Sequence, residues 1–72
     1  MTLEEADKEV YYWLKGTAGG FMSALLAAFA KADKNNFLRL AQSFPEIAVA
    51  YLSWSENEEE FIKRIERGFK NE

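Results

Sequence analysis

The sequence predicts an all-α fold, a small bundle of four to five short helices in a single domain that spans residues 1–72. Two patterns predict this class. Apolar residues recur at spacings of three and four along most of the chain, which is the period of an amphipathic helix, whereas the alternation of a β-strand is missing. Capping motifs and a single proline then divide the chain into short helical segments. Because the chain has no cysteine and 49% of its residues are apolar, the core must hold the fold together without disulfides.

The first helix is predicted to begin at residue 3 and to stop at Gly16. A capping box is present in Thr2-Leu3-Glu4-Glu5, where Thr2 and Glu5 each bond to the backbone of the other. Glycine is the preferred residue just past a helix C-terminus, which makes Gly16 a natural end point.

The second helix, residues 21–32, is predicted to be the central element of the bundle. No charge occurs between Lys15 and Lys31, and an almost uniformly apolar helix is normally buried on most sides. A membrane span needs about 20 apolar residues. This uncharged stretch is shorter and contains glycines, so no membrane partner is expected.

The third and fourth helices meet at a proline. Asp33 is predicted to cap a third helix that runs to about Ser43. Pro45 cannot continue that helix, since it lacks an N–H, but it suits the first turn of the fourth.

The fifth helix, residues 56–69, is predicted to be an amphipathic cover over the core. A second capping box is read in Ser55-Glu56-Asn57-Glu58. Acidic residues at the start of this helix and basic residues at its end complement the helix dipole. Three ion pairs are expected at i,i+4 spacing, namely Glu59 with Lys63, Glu60 with Arg64 and Glu66 with Lys70.

The predicted core draws on all five segments. Its members are Leu14, Phe21, Leu25, Phe29, Leu40, Phe44, Ile47, Tyr51, Phe61 and Ile65. A short chain buries a small share of its surface, and the uncharged second helix adds apolar area that is hard to cover. A homo-oligomer, most simply a dimer, is therefore expected; the alternative is that five helices suffice to enclose this surface.

Composition argues against several function classes. Histidine and cysteine are both absent, which removes the commonest general base and the commonest zinc ligands, so no enzyme, metal or cofactor is expected. The net charge of −3 and the glutamates beside the basic residues of the last helix oppose nucleic-acid binding. In a helix-turn-helix over residues 21–44, the second helix would offer only Lys34 and Arg39 as cations. The acidic N-terminus lacks the pattern of a secretory signal, and a cytoplasmic location is expected.

The middle of the chain carries a motif that extends over two predicted helices. It reads Lys31-Ala32-Asp33-x-x-Asn36-x-x-x-Leu40-x-x-x-Phe44-Pro45-Glu46, followed by Ala50-Tyr51 and Trp54. This motif resembles small uncharacterised helical proteins of bacterial phages and mobile elements. The resemblance implies such an origin and no particular activity. Those relatives commonly have arginine after the asparagine, where this chain has Phe37.

The residues proposed for binding lie around the end of the first helix. Tyr11, Tyr12 and Trp13 are consecutive and cover about 200° of it, so at least one ring is expected to face solvent or a partner. Aromatic rings are enriched at interface centres, which favours a non-catalytic protein that binds a host protein or assembles with itself. Alternatively, a phage counter-defence protein would sequester a nucleotide-like ligand, with the rings on its base and Lys15 and Thr17 on its phosphate. The same residues would also fit a helix connection beside core rings.

Overall fold

The computed structural model describes residues 1–70 of the chain, and over that range it confirms the predicted all-α class. No strand occurs within these residues. The helices are α1 (Leu3–Leu14), α2 (Gly20–Lys31), α3 (Lys34–Ser43), α4 (Pro45–Glu56) and α5 (Glu58–Lys70).

Three predicted helix starts are confirmed. Thr2 Oγ1 accepts a hydrogen bond from the Glu5 N–H at 3.1 Å, and the Thr2 N–H donates to Glu5 Oε1 at 2.9 Å, which completes the capping box of α1. These bonds from Thr2 hold the pKa of the Glu5 carboxyl below its ordinary value. Asp33 Oδ1 accepts from the Asn36 N–H at 2.8 Å and caps α3, while Pro45 occupies the first turn of α4.

Gly16 ends α1 as predicted, in a left-handed backbone conformation with a φ of 77°. Its N–H donates to the carbonyl of Trp13 at 3.0 Å, and the N–H of Thr17 donates to the carbonyl of Tyr12 at 2.8 Å. This pair of bonds is the Schellman motif, which satisfies the last carbonyls of a helix.

The start of the fifth helix was predicted wrongly. Ser55 belongs to α4, and its hydroxyl donates to the Leu52 carbonyl at 3.0 Å. Asn57 caps α5 instead: its Oδ1 accepts from the Glu60 N–H at 3.2 Å, and its carbonyl accepts from the Phe61 N–H at 3.0 Å. Asparagine caps a helix as well as serine does, so a later start keeps the cap and lets α4 run longer.

The central element is α4, and the prediction that the second helix takes this place was wrong. α4 packs against each of the other four helices. It can do so because apolar residues occur at nearly consecutive positions along it, and they therefore point to all sides. By contrast, α2 buries only one face, that of Leu25, Leu26 and Phe29. Its alanines offer little apolar area to a neighbouring helix.

The core is partly the predicted one. Leu25, Phe29, Ile47, Phe61 and Ile65 are buried as expected, together with Ala6, Val10, Leu26, Ala48 and Ala50. Leu14, Leu40, Phe44 and Tyr51 are half-buried and pack against these residues. Phe21 was predicted to be buried but is 69% exposed. It lies in the first turn of α2, where its ring has Phe44 beside it at a centroid distance of 6.2 Å.

The predicted ion pairs of α5 have different outcomes. Lys63 and Glu59 are 2.9 Å apart, as expected. The pair of Glu66 with Lys70 lies outside the described side chains.

Arg64 was predicted to pair with Glu60 but bonds to another helix. Its Nη1 lies 2.6 Å from Asp7 Oδ2 in α1, and this carboxylate is largely buried. Glu60 pairs instead with Arg67 at 3.2 Å. Arg64 is thus used to join α5 to α1, because the packing of the two helices puts an acid of α1 within its reach.

Candidate functional site

Trp13 is separated from the other two predicted binding rings. Its ring turns toward α4 and packs against Trp54, with centroids 5.6 Å apart at an angle of 82°, and against Tyr51 at 6.4 Å. The Trp54 Nε1 beside it is buried and has no acceptor within the described part of the chain. Trp13 is half-buried and belongs to the edge of the core.

Tyr11 and Tyr12 turn toward the end of α5 and form an aromatic cluster with Phe69. The Tyr11 and Phe69 centroids are 5.4 Å apart, and the Tyr12 ring is stacked on Phe69 at 6.3 Å. Both tyrosines are half-buried, so none of the three consecutive rings is fully exposed. We call Tyr11, Tyr12 and Phe69 the tyrosine cluster.

The hydroxyl of Tyr11 is engaged with α5. It donates to Glu66 Oε2 at 3.0 Å. Desolvation of the phenol, and secondly this hydrogen bond to a carboxylate, raise the pKa of Tyr11 above its ordinary value. The hydrogen bond to Glu66 thus fixes the orientation of the Tyr11 ring against α5.

Lys15 and Thr17 lie beside the tyrosine cluster, and each already contacts one of its tyrosines. The Lys15 ammonium is 5.3 Å from the centroid of the Tyr11 ring, which is a cation–π distance. The Thr17 hydroxyl donates to the Tyr12 carbonyl at 3.3 Å, next to the backbone bond that closes α1. Thr17 thus contributes to the end of the helix.

A shallow depression of about 570 Å³ adjoins the tyrosine cluster. It is lined by Tyr11, Lys63, Glu66, Arg67 and Phe69. Of the predicted binding residues only Tyr11 lines it, and the glycine-containing connection before α2 does not. The two cations come from α5, which sequence reasoning had treated as a solvated cover. The spacing of four residues between Lys63 and Arg67 indicates that both lie on one face of α5. It does not indicate that α1 lies beside that face.

Sequence reasoning missed an apolar surface on α3 and α4. Leu38 and Val49 are each 53% exposed and Leu52 is 43% exposed. Leu38 and Leu52 also line a depression of about 290 Å³, together with Ala32, Asp33, Lys34 and Phe37. We call Leu38, Val49 and Leu52 the α3/α4 face. A signal for it was present, since α3 has apolar residues at 37, 38, 40 and 41, more than a single neighbouring helix can cover.

The fold is that of a small all-α protein. Within residues 1–70, no helix is long and apolar enough to cross a membrane. Comparison with known proteins adds no relative: no protein-family model, no curated protein and no solved structure matches the chain at a significant level. The resemblance of the middle segment to phage and mobile-element proteins therefore stays a prediction.

Proposed function

We propose that this is a non-catalytic binding protein that contacts another protein through the α3/α4 face. The observation that supports the proposal is the exposure of Leu38, Val49 and Leu52, three large apolar side chains on two adjacent helices. Apolar surface gains about 25 cal/mol per Å² when it is removed from water, and clustered exposed apolar residues are typical of interaction sites.

The form and charge of this face favour a protein over a small ligand. The depression beside Leu38 and Leu52 is shallow and open. A small ligand is usually bound in a pocket that encloses most of its surface, whereas an open apolar depression suits the side chains of a partner helix. Lys34 and Asp33 both line this depression, and the Asp33 carboxylate caps α3. Lys34 has no ion pair with a carboxylate of the described residues. We therefore expect a partner with apolar side chains and a nearby carboxylate. If the chain has the phage or mobile-element origin that its middle segment implies, the partner would be a protein of the bacterial host.

The test is affinity capture from an extract of the source cells with three baits. These are the natural protein, the double variant Leu38→Ser/Leu52→Ser, and Leu3→Ser as a control. Leu3 is 52% exposed but lies on α1, so the control makes a single change of the same type on another surface. We expect a protein that is retained by the natural chain and the control and lost by the double variant. The same captured set with all three baits, or no captured protein, would contradict the proposal.

A nucleotide-like ligand is the second candidate, favoured by the depression at the tyrosine cluster. Lys63 and Arg67 are the cations that phosphates would need beside the ring of Tyr11. This candidate ranks second because Glu66 occupies the same wall, and both cations already pair with glutamates at 2.9 and 3.2 Å.

Thermal-shift measurements with cyclic and linear nucleotides test the second candidate. A ligand at 100 times its Kd adds about 2.7 kcal/mol to the free energy of unfolding. The shift should disappear in Arg67→Ala and persist in Arg39→Ala, whose arginine lies on α3. A flat screen would remove the candidate.

A further inference from the structure

The outward face of α2 begins with an exposed ring. Phe21 is 69% exposed, and Ala24, Ala28 and Lys31 are exposed as well. These four residues follow one another at spacings of three, four and three. They therefore lie within an arc of about 80° of the helix, away from the buried face of Leu25, Leu26 and Phe29.

The other end of this face carries a depression of about 410 Å³. It is lined by Ala28 and Lys31 of α2, by Ala32 directly after this helix, and by Asn36, Arg39 and Leu40 of α3. Its floor is apolar, and its rim carries two cations. Neither Lys31 nor Arg39 has an ion pair with a carboxylate, or an aromatic ring beneath it, within the described residues. The depression could therefore hold an aromatic ring, which would contact the apolar floor with its edge or face and the two cations with its π system.

The exposed ring and the depression are arranged symmetrically about the middle of α2. Phe21 and Lys31 are each five residues from Leu26, and Ala24 and Ala28 are each two residues from it. When two copies of α2 pack antiparallel at this midpoint, Ala24 therefore meets Ala28 of the partner subunit, and Phe21 meets the partner's Lys31. We propose that the protein forms a two-fold symmetric dimer in which Phe21 of each copy fills the depression of the other.

The chemistry of the two surfaces supports this pairing. The ring of Phe21 would lie against the aliphatic floor of the other copy's depression. Its π face would be open to the partner's Lys31 and the partner's Arg39, and both cations attract aromatic rings. The two alanines leave room for a close helix approach, at an axial separation of about 8 Å. A two-fold axis repeats every contact, so the dimer contains two such ring contacts.

A second copy fits this surface better than an unrelated partner does, because ring and depression lie on one helix face in a symmetric order. The inference goes beyond the proposed function, because it places a second contact surface on α2 and names a copy of the chain as the partner there. It uses α2 and the adjoining side of α3. Leu38 projects from α3 about 160° away from Leu40, nearly on the opposite side, so the two interfaces are separate.

Cysteine cross-linking tests the register, since the natural chain contains no cysteine. Ala24→Cys and Ala28→Cys, carried on chains with tags of different size, are mixed and oxidised. The antiparallel register predicts a mixed disulfide between the two variants in at least about tenfold excess over either symmetric disulfide, because only that pair has the short Cα distance a disulfide needs. Equal yields, a dominant symmetric disulfide or no cross-link would overturn the register.

Sedimentation and light scattering test the role of the ring. The natural protein is expected to have about twice the 8.3 kDa mass of one chain. Phe21→Lys puts a cation against the partner's Lys31 and Arg39, twice per dimer, and should raise the dissociation constant at least about tenfold. Leu38→Lys makes the same change at a residue that is 53% exposed elsewhere, and it should leave the dimer intact. A natural protein that stays monomeric up to millimolar concentration, or equal effects of both variants, would overturn the proposal.

The two sets of experiments separate this inference from the proposed function. Loss of partner capture in Leu38→Ser/Leu52→Ser, combined with a natural protein that is monomeric, would leave the α3/α4 face standing and reject the dimer. A cross-linked dimer with no captured protein would do the reverse.

Discussion

Two glycines of this chain have opposite roles and should respond oppositely to the same substitution. Gly16 has a φ of 77°, whereas Gly68 lies inside α5, where a Cβ would meet nothing within 4 Å. Gly16→Ala is expected to lower the free energy of unfolding by about 1 kcal/mol, because an L side chain is strained at positive φ. Gly68→Ala should raise it by about 0.5–1 kcal/mol through helix propensity. Urea denaturation of both variants measures this, and changes of equal sign would contradict it.

Tyr11 provides a prediction about pH at the same scale. Its folded-state pKa is raised, so the folded protein holds the phenolic proton more tightly than the unfolded chain does. The resulting stabilisation is complete below the unfolded pKa of about 10 and is lost as pH rises through the folded pKa. Absorbance titration near 295 nm, taken as the difference between the natural protein and Tyr11→Phe, should show a midpoint above 10. A midpoint at or below 10 would show that neither desolvation nor the bond to Glu66 stabilises the neutral phenol.

At the scale of elements, Ser55 and Asn57 are the two candidates for the N-cap of α5, and substitution distinguishes them. Asn57 makes the bond to the N–H of Glu60, while Ser55 bonds within α4. Asn57→Ala is expected to cost about 1 kcal/mol of stability, and Ser55→Ala less than about 0.5 kcal/mol. Thermal unfolding followed by circular dichroism compares the two. A larger loss in Ser55→Ala would restore the serine as the effective cap.

Helix starts were predictable where one side chain and its own backbone decide them. Thr2, Asp33 and Pro45 act over three or four residues, and each does what its sequence context indicates. Ser55 and Asn57 were not distinguishable in this way, because both are good caps and the choice depends on how far α4 extends. The central place of α4 was not predictable for a related reason: a local pattern shows that a helix is apolar, but not which helices surround it.

At the scale of the whole molecule, the candidate surfaces depend on contacts between distant parts of the chain. Sequence reasoning found Tyr11 and Tyr12 but could not find that Phe69, more than fifty residues later, would pack on them. It also expected Phe21 to be buried, because a large ring in an uncharged helix usually is. Whether such a ring is covered depends on which neighbour reaches it, and Phe44 covers it on one side.

The core itself should depend on a few large rings because the molecule is small. Phe29 is 2% exposed and packs against Phe37 and Tyr51, at centroid distances of 5.3 and 5.7 Å. Phe29→Ala would leave a cavity among these rings and is expected to cost about 3–5 kcal/mol, a large part of the stability of a domain this short. Val49→Ala, at a side chain that is 53% exposed, should change stability by less than about 0.5 kcal/mol. Urea denaturation at one protein concentration compares the two. A loss below about 1 kcal/mol in Phe29→Ala would mean that the remaining rings collapse into the space, and that α2 is held to the bundle by other contacts.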